Sequence, residues 1–286
     1  MPELPEVETI ARQLHGLVVG RRVAEFRSFW RRVTEPEPAK HFAARLAGRT
    51  ITAVGRRGKF VVLELDGDDA LIVSLRMTGK LLFHESAAED PYTRAFVRFA
   101  DGTVLNFADT RKFGRMAIVD RADLGEDPRE RVPHAPLHRS LGIEPLSRRF
   151  TTRWLQEMLL RRSRAAIKPL LLDQRAIAGI GNIYAIEALW RAKIHPLRTA
   201  GSLKPAEVAK LREAIVWALR KGIRYGGASR RDYVDARGNT GRMQQEFNVY
   251  GRAGEPCPRC GRAIVRTVVG GRGTFHCPRC QRAPSS

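Results

Sequence analysis

Apolar residues first recur at helical spacing. Val7, Ile10, Leu14 and Leu17 fall on one face, Pro5 stands in the first turn and Gly20 follows the last, so a helix is predicted over 5–18. The texture then changes to short, β-branched runs at 59–65 and 71–77. Two more runs, 95–99 and 103–107, flank Asp101-Gly102, a strong hairpin signal. Strands of this kind predict a β-sandwich or a barrel. The stretch 121–145 carries Pro128, Pro133, Pro136 and Pro145 among charges and predicts a linker. Beyond it the helical period returns. Thr151 and Thr152 can cap a helix through Arg161; others are predicted over 166–176, from Asn182 through Trp190, and over roughly 205–221, where Val208, Leu211, Ile215 and Leu219 share a face. Residues 226–245, rich in Gly, Arg and Asn, predict a mobile loop.

A length of 286 residues allows about two domains. Charge narrows the partner. With 51 Lys plus Arg against 30 Asp plus Glu, the net charge of +21 calls for a polyanion, either nucleic acid or an acidic membrane surface. No apolar run approaches the roughly 20 residues of a membrane span, no basic amphipathic helix stands out, and the start lacks a signal-peptide pattern. Nucleic acid is the better partner, and Arg, which far outnumbers Lys, suits bidentate contact with phosphate.

All four cysteines lie within the last 30 residues, which argues for a metal site in a reducing cytoplasm rather than a disulfide scaffold. Cys257 and Cys260 form one CxxC knuckle, Cys277 and Cys280 another, with 16 residues between them. Four thiolates around one tetrahedral Zn²⁺ leave no open position for water, so the zinc is structural. Between the knuckles, 264–268 and 274–276 are strand-like around Gly270-Gly271, predicting a hairpin with Arg272 at its tip. Arg272 is either a solvated turn residue or, as the basic charge favours, a DNA contact.

Other positions carry both a bland and a chemical meaning. The glycines of Ala178-Gly179-Ile180-Gly181-Asn182 make a tight turn before a helix start, a place where backbone N–H groups can hold a phosphate. Asn182 can cap that helix or donate to the same phosphate. Lys168, Arg161, Arg162 and Arg164 lie upstream as a solvated face or a phosphate-binding border. Lys59, at a predicted strand start, can bind phosphate or act as an acid once its pKa is lowered. Met77 precedes Thr78-Gly79 at a turn; Met is usually core. In Asp109-Thr110-Arg111-Lys112-Phe113-Gly114, Arg111 and Phe113 point the same way if the segment is extended. An aromatic wedge beside a guanidinium suits parting bases and bonding to one left unpaired, whereas a plain hairpin end would bury Phe113.

The first residues change the weighting. Removal of Met1 would expose the nitrogen of Pro2, a secondary amine with a pKa near that of an α-amino group and partly unprotonated at neutral pH. Attack on a sugar carbon gives an iminium, the covalent strategy of Schiff-base enzymes. Glu3 and Glu6 stand beside it as proton carriers, or simply as acids at a helix start.

In order, Pro2-Glu3-Leu4-Pro5-Glu6-Val7-Glu8-Thr9, Arg56-Arg57-Gly58-Lys59, Arg76-Met77-Thr78-Gly79, Asp109-Thr110-Arg111-Lys112-Phe113-Gly114, Gly179-Ile180-Gly181-Asn182-Ile183-Tyr184-Ala185, Val249-Tyr250-Gly251-Arg252 and the four-cysteine finger resemble the bacterial formamidopyrimidine-DNA glycosylase family over the whole chain. The resemblance implies an α+β multidomain fold. Its parts are an N-terminal helix plus β-sandwich domain (1–130), a linker (131–150), a helix–two-turn–helix domain (151–245) ending in a lesion loop (226–245), and a β-hairpin zinc finger (246–286), with damaged double-stranded DNA in the cleft between domains. It implies that Pro2 attacks C1′ and displaces the base with Glu3 as general acid. Lys59 would serve in β-elimination, and Arg272 in δ-elimination while gripping phosphate. Met77, Arg111 and Phe113 would fill the hole left by the everted nucleotide, Arg111 reading the orphaned cytosine, while Lys168 and Asn182 hold flanking phosphates. Tyr92 lies near a place where relatives often have a His touching DNA, and Lys112 stands where some carry a second Arg. Oxidised purines are the implied substrates. The sister group, endonuclease VIII, prefers oxidised pyrimidines, and Leu4 favours the purine-directed side. The expected enzyme is a monomer, cytoplasmic and working at the nucleoid, with one structural Zn²⁺. A finger built as a separate module would let chelation weaken DNA binding without unfolding the first 220 residues. The rival from another class is a zinc protein that binds distorted duplex without cutting it, which has no use for Pro2 or Glu3.

Overall fold

The computed structural model describes residues 2–86, 90–125 and 140–283. The chain forms two compact units, and the first joins Met1–Gly125 to Tyr225–Gln244. The predicted opening helix is present as α1 (Leu4–Val18), and the strand-rich stretch supplies β1 (Val23–Ser28), β2 (Ile51–Arg57), β3 (Phe60–Leu65), β4 (Asp69–Ser74), β5 (Gly79–His84), β6 (Thr93–Phe99), β7 (Val104–Asp109) and β8 (Arg115–Asp120). A short helix, α2 (Ala39–Leu46), lies against β1. The strands make two antiparallel four-stranded sheets, in the orders β1-β6-β7-β5 and β2-β3-β4-β8. They share one apolar core, which decides for the sandwich. Val7, Ile10, Leu14 and Val18 of α1 are fully buried in that core, as the helical spacing requires. The Asp101-Gly102 hairpin forms, with Phe99 N–H on the Thr103 carbonyl at 2.9 Å.

The second unit holds α3 (Thr152–Arg161), α4 (Ile167–Leu172), α5 (Asn182–Ala192), α6 (Pro205–Arg224), and the hairpin β9 (Val265–Val269) and β10 (Arg272–His276). Thr151 caps α3 by accepting the Trp154 N–H at 3.1 Å. The helix expected over 166–176 stops at Leu172, because Asp173 and Gln174 turn the chain.

Part of the predicted linker, 126–139, lies outside the described residues. Its second part is not a linker. Leu141 and Ile143 are buried, and Gly142 and Ile143 donate to the Gln174 and Ala176 carbonyls at 2.8 and 3.1 Å. A Cβ on Gly142 would overlap the Ala176 carbonyl, so only glycine permits this approach. Among the described residues no helix is long and apolar enough to cross a membrane.

Candidate functional site

Pro2 is buried immediately ahead of α1. Met1 lies outside the described residues, and with it the expectation of its removal. Glu3 is the N-cap and Glu6 sits three positions on, and the two close a capping box: Glu6 takes the Glu3 N–H at 2.8 Å while the Glu3 carboxylate takes the N–H of Glu6. They are only 4 % and 2 % exposed. The helix-start role and the proton-carrier role thus fall on the same two buried acids beside Pro2. Glu6 also accepts the Ala228 N–H at 2.8 Å, so the loop segment begins against the same carboxylate. Burial, then the Glu6 charge, pushes the Tyr233 phenol well above its ordinary value, so Tyr233 stays a neutral donor.

Lys59 occupies the β2–β3 turn rather than a strand start, and is half-buried. The turn is tied to α1 by Arg56, whose guanidinium donates to the Gly58 carbonyl and to Glu8, each at 3.0 Å. Burial works against the Glu8 carboxylate, but the Arg56 and Arg12 charges hold its pKa below the ordinary value. Nothing in the residue pattern itself marks Arg56. Only its place beside Lys59 pointed to it.

Arg111 and Phe113 do meet, with the guanidinium 4.9 Å from the ring centroid, but not by strand alternation. After Asp109 the chain turns, and Lys112 takes a left-handed φ of 59°. The cause is the Asp109 carboxylate, 1 % exposed, which gathers the N–H groups of Arg111, Phe113 and Gly114 at 3.1, 2.8 and 2.8 Å. It also accepts the Thr78 hydroxyl, which binds the turn that carries Met77 to the same anchor. Met77 and Phe113 are 40 % and 49 % exposed, so neither is core. Tyr92, 50 % exposed, adjoins this region through its carbonyl, which takes the Asp109 N–H at 2.9 Å. Asp109 is the organiser of this region. An Asp ahead of a turn was the available signal.

In the second unit, Lys168 and Asn182 converge on the zinc hairpin. The Lys168 Nζ, fully buried, donates to the Val269 carbonyl at 3.4 Å, and the Asn182 Nδ2 donates to the Gly273 carbonyl at 3.0 Å. Asn182 is therefore not the cap of α5, a position held by Gly181. Nor is the Gly179 N–H left for a phosphate, since it donates to Gln174 at 2.9 Å. Gly270 and Gly271 turn the hairpin at φ 60° and 71°, and Arg272 is exposed as the first residue of β10. Arg162 pairs with Asp173 at 2.7 Å, and Arg164 is exposed nearby; neither is drawn toward the hairpin by a hydrogen bond among the described contacts.

The ligand sulfurs of Cys257, Cys260, Cys277 and Cys280 all lie within 4.8 Å of one another. A tetrahedron of Zn–S bonds near 2.3 Å needs about 3.8 Å between sulfurs, so the cluster fits one zinc ion. Its electrostatics ask for a cation too. Burial disfavours the Cys257 thiolate, but N–H donors from Trp190, Arg259 and Cys260 bring it down to about 6, while burial and the neighbouring thiols push Cys280 up to about 12. Four thiolates cannot coexist there without a positive charge between them.

The finger is not a separate module. Ile186 and Trp190 of α5 share its apolar cluster with Val249, Cys257, Ile264 and Cys277, and the Trp190 indole N–H reaches the Cys257 sulfur at 3.4 Å. Glu187, fully buried on α5, accepts the backbone N–H groups of Asn248, Val249 and Tyr250 at 2.9–3.1 Å. Its position inside an apolar helix face was the only sequence trace of that role.

Three family models match in succession: the formamidopyrimidine-DNA glycosylase N-terminal domain over residues 1–116, its H2TH domain over 141–234, and the zinc finger found in FPG and IleRS over 254–283. The formamidopyrimidine-DNA glycosylase of Roseiflexus sp. (strain RS-1) is 48 % identical over 99 % of this chain and 100 % of its own. That of Enterococcus faecalis is 45 % identical over 99 % and 98 %. Among solved structures, a complex between the Lactococcus lactis Fpg and DNA containing an abasic site superposes with a TM-score of 0.87 at 37 % identity, covering 98 % of this chain and 100 % of that one. A mutant of the same Fpg bound to Fapy-dG DNA gives 0.88 at 38 %, over 99 % and 100 %. The chain belongs to the formamidopyrimidine-DNA glycosylase family.

Proposed function

We propose the following chemistry for a chain that, as a member of this family, is a DNA glycosylase of base excision repair. The Pro2 nitrogen attacks C1′ of a damaged nucleotide turned out of the duplex, the glycosidic bond breaks, and the base leaves with a proton delivered by Glu3. The C1′–O4′ bond then opens, O4′ taking up a proton, and the resulting iminium makes the C2′ proton acidic. Loss of that proton breaks the 3′ C–O bond, with Lys59 serving the step, and a second elimination, with Arg272 on the phosphate, breaks the 5′ C–O bond. Glu6 holds Glu3 in place. Met77, Arg111 and Phe113 occupy the gap in the stack, Arg111 facing the orphaned base, while Asn182 holds a phosphate and, with the fully buried Lys168, seats the hairpin of Arg272. Eversion costs a few kcal/mol, which such wedge residues offset. Cys257, Cys260, Cys277 and Cys280 hold a structural zinc that takes no part in these steps. Tyr92, Arg162 and Arg164 are proposed as outer contacts to the backbone. Oxidised purines, 8-oxoguanine and formamidopyrimidines, are the proposed substrates, and the enzyme is proposed to act as a monomer in the cytoplasm.

The observation that carries this reading is a proline at the foot of α1 with two buried acids in its first turn. Borohydride trapping tests it, on duplexes holding 8-oxoguanine, an oxidised pyrimidine or an abasic site. The wild-type chain should give a covalent adduct, most with the purine lesion over the pyrimidine. Pro2→Gly should bind the same DNA and give none. An adduct of normal yield from Pro2→Gly would remove Pro2 from the mechanism, and lesion binding without any adduct would leave a non-cutting sensor.

A further inference from the structure

The glycine- and arginine-rich segment of the first unit is not a simple flexible loop. Its ends are closed by Arg242 N–H on the Tyr225 carbonyl at 2.8 Å and Met243 N–H on Gly227 at 3.0 Å. The Ser229 hydroxyl braces the middle, donating to the Tyr233 carbonyl at 2.7 Å and accepting the Gly241 N–H at 2.8 Å. Tyr233 and Ala236 are buried in the core that also holds α1. Residues 230–232 and 237–240 are the exposed parts of the segment.

Two side chains of α1 grip this segment, at Glu6 and Gln13. Seven residues is two helical turns, so both stand on one face. Glu6 takes the Ala228 N–H at the start of the segment. Gln13 spans its far side: its Nε2 donates to Asp235 Oδ2 at 2.8 Å, and its Oε1 accepts the Ala236 N–H at 2.9 Å. Asp235 in turn accepts the N–H groups of Arg237 and Asn239 at 2.9 and 2.8 Å, and the Ala236 carbonyl takes the Phe83 N–H of β5 at 2.9 Å. A carboxamide presents a donor to the carboxylate and an acceptor to the neighbouring N–H on two separate atoms of one planar group.

The helix that ends in the nucleophile is therefore the rod on which this loop is mounted. Any base attached to a C1′ at Pro2 lies near a loop that starts on Glu6. We propose that Gln13 is a positioning residue for base excision: its amide fixes Asp235 and Ala236, and so sets the rigid half of the loop against which the everted base is oriented for departure. The proposal rests on the glycosylase reading above. It separates the two activities, because a preformed abasic site has no base to orient, and strand cleavage there does not need the clamp.

The test compares wild type, Gln13→Ala, Gln13→Glu and the double variant Gln13→Glu with Asp235→Asn. Base release from 8-oxoguanine duplex and cleavage of a preformed abasic site are measured separately, with amide exchange at Ala236, Arg237 and Asn239 in the free protein. Gln13→Ala should lower kcat for base release about tenfold, leave abasic cleavage within about twofold, and raise exchange at those amides. Gln13→Glu should do worse, since it sets a carboxylate against Asp235. The double variant, which restores one donor and one acceptor, should recover most of the loss. Unchanged exchange, an equal fall in both activities, or no rescue would overturn the proposal. A wild-type chain that releases no oxidised base would instead sink the glycosylase reading, while the exchange data would still show whether Gln13 orders the loop.

Discussion

Two turns carry proposed DNA contacts, and they are held by opposite means. The turn of Arg111 and Phe113 is organised from within, by one carboxylate acting on N–H groups two, four and five residues ahead of it. The hairpin turn before Arg272 is organised from without, by Lys168 and Asn182 from distant helices and by a metal site built from two knuckles. A locally closed turn fails locally. A turn assembled from remote parts takes its supports with it when it goes.

The largest effect should therefore follow zinc removal. Structural zinc sites bind with apparent free energies of about 10–16 kcal/mol, which become folding free energy. Since α5 packs its Ile186 and Trp190 into the finger's own cluster, chelation should cost α5 its amide protection and abolish DNA binding, while the β6–β7 ladder of the first unit exchanges as before. Loss of DNA binding with α5 fully protected would restore the picture of a detachable finger. Asp109→Ala comes next. It strands the Phe113 and Gly114 N–H donors and the Thr78 hydroxyl, leaves the Arg111 N–H only the Thr78 oxygen, and should lower the unfolding free energy by about 3 kcal/mol, read from urea denaturation. Asp109→Asn keeps one full acceptor and should cost clearly less. An Ala variant as stable as wild type would mean that the turn is held by something other than its carboxylate.

The same contrast explains what was legible in the chain. Features set by near neighbours came through: α1, the Asp101-Gly102 hairpin, the Thr151 cap and both zinc knuckles. Arg111 and Phe113 were rightly paired but for the wrong reason, since nothing in the residue pattern distinguishes an extended end from a turn gathered around Asp109. Features set by remote partners were misread or missed. Residues 140–150 looked like linker because proline and charge precede them, yet Leu141 and Ile143 are buried through contacts with 174–177. Asn182 looked like a cap because its partner, the Gly273 carbonyl, is 91 residues away. The segment 226–245 looked loose because its braces to Glu6 and Gln13 span more than 200 positions. Up to Gln244 it also falls in the compact unit of the sandwich, not in that of the helices that precede it in the chain.

The smallest effect concerns the turn of Lys59, which is supported from α1 through Arg56, and it turns on pH. Glu8 holds Arg56, and Arg56 holds the Gly58 carbonyl. The folded pKa of Glu8 lies below its ordinary value of 4.5. A depressed carboxyl stabilises the fold fully above its unfolded pKa, and that contribution disappears as pH falls through the lower folded value. Stability should thus be flat through neutral pH as far as Glu8 is concerned and decline below about pH 4.5. Because Glu8 is only partly buried, Glu8→Gln should cost less than about 1 kcal/mol at pH 7, and it should flatten the acid limb of the urea midpoint plotted against pH. Abasic-site cleavage should fall with it if Lys59 depends on the Arg56 tie for its position. A Gln variant with the wild-type acid slope would show that the Lys59 turn needs no support from the Arg56–Glu8 pair.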